Sequence, residues 1–201
     1  MSDVWSHYEA IKQLAREKRL HYGVISQSIS LSLVRKIYKT EGIKITFAPK
    51  GKLKKLKAAY FNGENGTDVL LNPNLPKEAQ IFALLHELKH HYFDSNQETL
   101  CLKAYNEEPI PEKAAEVFAA EFIWPSGEFQ QAAQEFGLKN GNCSEEDIVR
   151  FRKHVNIPVS YTFIRKRLEW FRIIEKGQYE KTKFKLIEYQ IFGKPYYLRF
   201  R

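Results

Sequence analysis

Cysteine is scarce in this chain. Cys101 and Cys143 are the two among 201 residues, too few for a disulfide framework, so a reducing cytoplasm is the expected compartment. Long apolar runs are missing too. No stretch approaches the roughly eighteen residues that a membrane-spanning helix needs, so no membrane partner is expected. The first residues, MSDVWSHYEAIKQLAREKR, have neither an apolar core nor a small-residue cleavage site, and no secretory leader is expected there. Internal repeats and low-complexity tracts are absent. What remains is 43% hydrophobic and 28% charged, the balance of an ordinary globular protein long enough for one domain and a small appendage.

The net charge of +8 is unevenly placed. Residues 1–61 carry 13 basic and 4 acidic side chains, residues 62–140 carry 5 and 13, and residues 141–201 carry 14 and 7. An acidic middle therefore lies between basic flanks. Metal ligands and their supports would account for part of that acidity. The flanks could meet nucleic acid or an acidic partner, or form a solvated lysine-rich surface.

Hydrophobic period divides the chain into elements. Helical spacing runs through Tyr8, Ile11, Leu14 and Ala15, and again from about Ser30 to Thr40, ending at Glu41-Gly42. Ile43, Ile45 and Phe47 then alternate with polar residues as a half-buried strand. Further strands are expected at Lys57–Asn62 and Thr67–Leu71, joined by the Asn62-Gly63-Glu64-Asn65-Gly66 turn. Helices are expected from Lys77 to about Phe93, from about Pro111 to Ile123, over 126–138, 145–155 and 160–174. Phe184–Phe192 and Tyr196–Phe200 read as a hairpin. The fold class is α+β. Residues 1–140 form a mostly helical core with a small three-stranded antiparallel sheet, and residues 141–201 a helix pair and C-terminal β-hairpin packed on it.

Within the sixth of these elements lies His86-Glu87-Leu88-Lys89-His90. Residues i and i+4 stand one above the other on a helix face. Two imidazoles so placed can share one tetrahedral zinc ion. The intervening Glu87 lies near the same point without ligating, where it can take a proton from water and return it to a leaving amine. His91 breaks the face and reads as a surface or supporting residue. A catalytic zinc site needs a third protein ligand and an open position, and the next helix offers Glu112, Glu116 and Glu121.

The stretch from Glu112 to Pro125, EKAAEVFAAEFIWP, resembles the second motif of the ImmA/IrrE family of zinc peptidases, with Phe118-Ala119 and Trp124-Pro125 in the matching places. Ala114 stands where many members carry a second glutamate. The resemblance covers roughly residues 20–175. It implies Glu112 as the third zinc ligand, with Glu116 hydrogen-bonded to a ligand histidine. It also implies a cytoplasmic endopeptidase that cleaves a cognate helix-turn-helix repressor and so switches on a mobile-element, stress or anti-phage defence operon.

Several side chains carry secondary expectations. Cys101, between the two motifs, is a candidate fourth ligand that would hold the enzyme latent. The strand near Ala58–Phe61 is the candidate edge for binding substrate as an added strand. Tyr60, Tyr92 and Tyr105 are equivalent candidates for stabilising an oxyanion. In the C-terminal part, Ser160 would cap a helix bearing Arg165, Lys166 and Arg167. With a following hairpin, that helix could contact DNA or RNA as a winged helix-turn-helix. Otherwise it is scaffold, with Tyr161, Phe163, Trp170 and Phe171 in the core. The alternative function is a zinc-stabilised nucleic-acid-binding regulator without hydrolysis.

Overall fold

The sheet is built from β1 (Lys44–Phe47), β2 (Ala58–Gly63) and β3 (Gly66–Leu71). The computed structural model describes residues 2–25, 29–49, 56–64, 66–93 and 109–194. β2 and β3 form a hairpin in which Gly63 pairs with Gly66, and Gly66 takes a φ of +99° that favours glycine. β1 joins the other side of β3, giving the order β1-β3-β2. Its pairing with β3 is parallel, from Lys44 opposite Asp68 to Phe47 opposite Leu71. The sheet is therefore mixed, where an antiparallel one was expected. Residues 48–57 separate β1 from β2, too long a connection for a tight hairpin, and β2 takes the far edge.

Helices α1 (Ser2–His21), α2 (Leu31–Thr40), α3 (Lys77–Phe93) and α4 (Pro109–Ile123) complete the first of two compact units, Met1–Pro125. Ser30 caps α2 by accepting from the Leu33 amide. Tyr38, buried on α2, donates its hydroxyl to the Leu84 carbonyl of α3 at 2.5 Å. Helix α4 packs against both α1 and α3, and its sequence explains how. Ala114, Ala115, Phe118, Ala119 and Phe122 are all fully buried. Alanines admit close helix approach, and each phenylalanine contributes about 1.5–3 kcal/mol of burial. On the α1 side, Arg16 pairs with the buried Glu121 carboxylate at 2.8 Å, and Arg19 donates to the Phe122 carbonyl.

The second unit, Ser126–Arg201, contains α5 (Ser126–Glu135), α6 (Glu145–Val155), α7 (Tyr161–Trp170) and α8 (Phe184–Phe192). Its core holds Phe129, Phe151, Ile164 and Leu168, with Phe129 stacked on Phe171 at 5.6 Å. Ser144 and Asp147 form a reciprocal capping box at the start of α6. Among the described residues, no helix is long and apolar enough to cross a membrane.

Helix α8 corrects the expected hairpin. Aromatic and β-branched residues suggested a strand over 184–192. Yet Phe184, Ile187, Glu188 and Ile191 fall at helical spacing, and Phe184 and Glu188 are the buried ones. The second half of that expected hairpin, Tyr196–Phe200, lies outside the described residues. Glu188 explains why a polar residue sits on the inner face. It accepts from Tyr161 at 2.9 Å, Lys153 at 2.7 Å and Lys185 at 2.7 Å.

That cluster has a pH signature. Burial alone would raise the Glu188 carboxyl, but the two lysines and the Tyr161 hydroxyl hold it down, from 4.5 to about 2. A depressed carboxyl stabilises the fold above its unfolded value and loses that contribution as pH falls through the folded one. Stability measured by urea unfolding is expected to drop between pH 4.5 and about 2, and Glu188→Gln to flatten that part of the profile. Separately, Phe118→Ala should lower stability by about 3–5 kcal/mol in the same assay.

Candidate metal centre

Helix α3 presents His86 and His90 one turn apart, with ring centroids 5.2 Å from each other. Helix α4 brings Glu112 to the same point from its first turn. Pro109 and Pro111 suit that turn, because proline lacks the amide that a helix start leaves unpaired, and the helix N-terminus favours a carboxylate. Glu112 Oε2 lies 3.1 Å from His86 Nε2, and Oε1 lies 3.5 Å from His90 Nε2. The three ligand atoms all fall within 4.8 Å of one another.

These distances fit a metal. Tetrahedral zinc with nitrogen and oxygen ligands at about 2.0–2.1 Å places neighbouring ligand atoms about 3.3–3.4 Å apart. The donor set, two imidazoles and a carboxylate, suits a divalent metal such as zinc. His90 is buried, whereas the Glu112 side chain is 35% exposed, so the cluster opens to solvent on the glutamate side. The hydrogen bond with His86 holds the Glu112 carboxyl below its usual range, against the opposing effect of burial.

Glu87 sits beside this cluster in a drier setting. It is 5% exposed, and among the described residues its buried Oε2 has no hydrogen-bond partner. Burial raises its carboxyl pKa; His86 and His90 oppose the rise, Glu112 adds to it, and a backbone hydrogen bond from Tyr60 opposes it. Tyr60 belongs to β2, an edge strand of the sheet, so the expected substrate edge runs past the carboxylate. A carboxylate oxygen in such a place, its proton affinity raised by burial, is suited to receive a proton.

A second cluster adjoins the first, and sequence reasoning did not find it. The His91 Nδ1 lies 3.1 Å from the Tyr60 hydroxyl, and its Nε2 lies 3.6 Å from Glu41 Oε2. Glu41 also accepts from Tyr22, and from Tyr92 at 3.1 Å. Lys18 of α1 stands 4.0 Å from the same carboxylate and 3.7 Å over the Tyr92 ring. Burial lowers the His91 pKa, with Glu41 opposing. Burial and the Glu41 carboxylate push the Tyr22 phenol up to about 12. The available signal was a histidine and a tyrosine directly after the second ligand.

The other expected residues fall as follows. Glu116 accepts from Lys113 at 2.8 Å. Glu121 is buried against Arg16. Of the two tyrosines described, Tyr60 meets His91, and Tyr92 meets Tyr22 and Glu41. Cys101 and Tyr105 lie outside the described residues. Cys143 is buried, and burial raises its thiol to about 11, which suits an inert residue. On α7, Arg165 pairs with Glu169, and Arg167 lies 5.2 and 5.1 Å from the Phe129 and Phe171 ring centroids. Both arginines are buried and Lys166 is exposed.

Comparison with curated proteins gives no match. A solved structure described as a Mycobacterium tuberculosis transcriptional regulator shares the fold, with a TM-score of 0.56 at 14% identity over 80% of this chain and 46% of that one. This chain thus spans less than half the length of that protein. The sequence pattern of a known family covers residues 39–169, from the end of α2 through all of the elements that carry His86, Glu87, His90 and Glu112. The chain belongs to that family, Peptidase_M78, the IrrE N-terminal-like domain.

Proposed function

We propose that this chain is a zinc-dependent endopeptidase that cleaves a cognate helix-turn-helix repressor and thereby switches on a mobile-element, stress or defence operon. The observation that carries the reading is the convergence of His86, His90 and Glu112 within 4.8 Å, beside the buried Glu87 carboxylate. The neighbour's description as a transcriptional regulator agrees with a regulatory setting.

His86, His90 and Glu112 would hold the ion. When bound, zinc supplies Lewis acidity toward the scissile carbonyl and lowers the pKa of water to about 7. Every other task falls to the chain. The outer edge of β2 would hold the substrate main chain as an added strand. Glu87 would accept the proton of the attacking water and deliver it to the departing amide nitrogen. The Tyr60 amide fixes the Glu87 carboxylate, and His91 with Glu41 fixes the Tyr60 ring.

Three measurements test this. Glu87→Gln should retain one zinc per chain by elemental analysis. It should also lose about 10²–10⁴-fold in cleavage rate against whichever member of a helix-turn-helix repressor panel the native chain cuts. A metal-loaded native chain that cuts none of the panel would favour the non-hydrolytic regulator. Glu112→Ala should weaken zinc in a chelator competition by more than the roughly 10–100-fold seen on losing a residue that merely supports a ligand. X-ray absorption at the zinc edge should show a nitrogen and oxygen shell at about 2.0–2.2 Å without sulfur. A sulfur at about 2.3 Å would instead place Cys101 on the metal.

A further inference from the structure

The sheet has two edges, and the candidate metal centre lies at one of them. β1 forms the other, two strand spacings or about 10 Å from β2. Among the described residues, no strand pairs with the outer side of β1. A groove of about 380 Å³ runs between this edge and α2, lined by Arg35, Tyr38, Lys39, Ile43, Ile45 and Phe47. Tyr38 and Ile43 are buried and make an apolar floor. Phe47 is 48% exposed, with the Arg35 guanidinium 5.7 Å from its ring centroid. Arg35 and Lys39 are exposed on the rim.

The segment that lines the groove carries an excess of cations, while Asp68 of β3, opposite Lys44, accepts from Thr46. Residues 31–47 carry Arg35, Lys36, Lys39 and Lys44 against the single acid Glu41. Glu41 is engaged elsewhere, by Tyr22, Tyr92, His91 and Lys18. Among the described residues, none of the four cations meets a carboxylate. The strand register then sets what an added strand would meet. Ile45 and Phe47 share a sheet face with Val69 and Leu71, the face on which α2 packs. Side chains of an added strand on that face would lie against Phe47 and beneath Arg35 and Lys39. Those on the opposite face would lie beside Lys44.

We propose that this groove captures an extended acidic segment of a partner polypeptide, which joins β1 as a fourth strand. Main-chain hydrogen bonds would supply affinity with little sequence demand. The cations would select acidic side chains, and the Phe47 ring an apolar one. The inference goes beyond the peptidase reading and does not rest on it, because capture requires no hydrolysis.

The test is fluorescence anisotropy of the full chain with a short labelled peptide of alternating glutamate and valine. Saturable binding that weakens with salt is expected. Arg35→Gln with Lys39→Gln should raise Kd about tenfold or more, equivalent to the step of one decade in affinity. Glutamine is tolerated at both exposed helix positions, and circular dichroism verifies the fold. Phe47→Ser should also weaken binding. Lys176→Gln with Lys181→Gln, which removes the same charge from exposed positions in the second unit, should leave it unchanged. A peptide methylated on alternate backbone nitrogens keeps its charge but loses donors, and should not bind. Equal loss from the two double variants, or full binding by the methylated peptide, overturns the proposal. So does a single-stranded oligonucleotide that binds through Arg35 and Lys39 where the peptide does not.

Discussion

The contact between α3 and α4 sets everything at the candidate centre, because the ligand set is divided between them. A helix alone can align His86 with His90, one turn apart. It cannot supply a third ligand at the same point, since the next turn of the same face is already too far along the axis. Glu112 must therefore come from another helix, held at 3.1 and 3.5 Å from the two rings. Those separations are fixed by packing around Ala114, Ala115, Phe118 and Ala119, all fully buried. Helix α1 closes on α4 through Arg16–Glu121 and the Arg19–Phe122 carbonyl contact. Packing between the helices thus holds the three side chains together, and such pre-organisation lowers the ordering cost of binding an ion.

Half-buried polar groups around the centre need partners, and Glu41 provides for several. It gathers Tyr22 and Lys18 from α1 with His91 and Tyr92 from α3. His91 in turn meets Tyr60 on β2, and the Tyr60 backbone meets Glu87. The Glu87 carboxylate is therefore connected, through a strand and a histidine, to the end of α2. Such a network fixes one orientation of each member, because losing a partner leaves a buried or half-buried group short of a hydrogen bond. It also explains why the edge strand can carry a backbone donor to a site built on helices.

Some of this could be read from the sequence. The His86/His90 pair was legible because its geometry is local, set by helical spacing alone. Glu112 needed the family resemblance, since nothing local distinguishes it from Glu116 or Glu121; the structure places Glu116 on Lys113 and Glu121 on Arg16. The Glu41 cluster was not legible: its hydroxyl partners lie 19 and 51 residues away. The direction of β1 depended on a connection whose length excludes a hairpin but does not choose an edge. Helix α8 was misread because its composition favours a strand while its buried positions follow a helix. Composition is a weak guide where tertiary burial decides.

Charge is the case where counting and placement diverge most. The net +8 invites a diffuse basic surface as an explanation. Among the described residues, the structure divides those charges into those paired within the fold and those that meet no carboxylate. Arg16 and Arg19 hold α1 on α4. Arg165 and Arg167 are buried against Glu169 and two aromatic rings. Lys153 and Lys185 converge on Glu188. These side chains act within the fold, and their stems and charges contribute to packing as much as to the outer field. The set from Arg35 to Lys44 differs, because its members face outward beside an apolar floor and a strand edge that no described strand pairs. Field and shape coincide there. A uniform surface charge attracts without selecting, whereas cations arranged along an open backbone edge select both the sign and the extended conformation of what they meet.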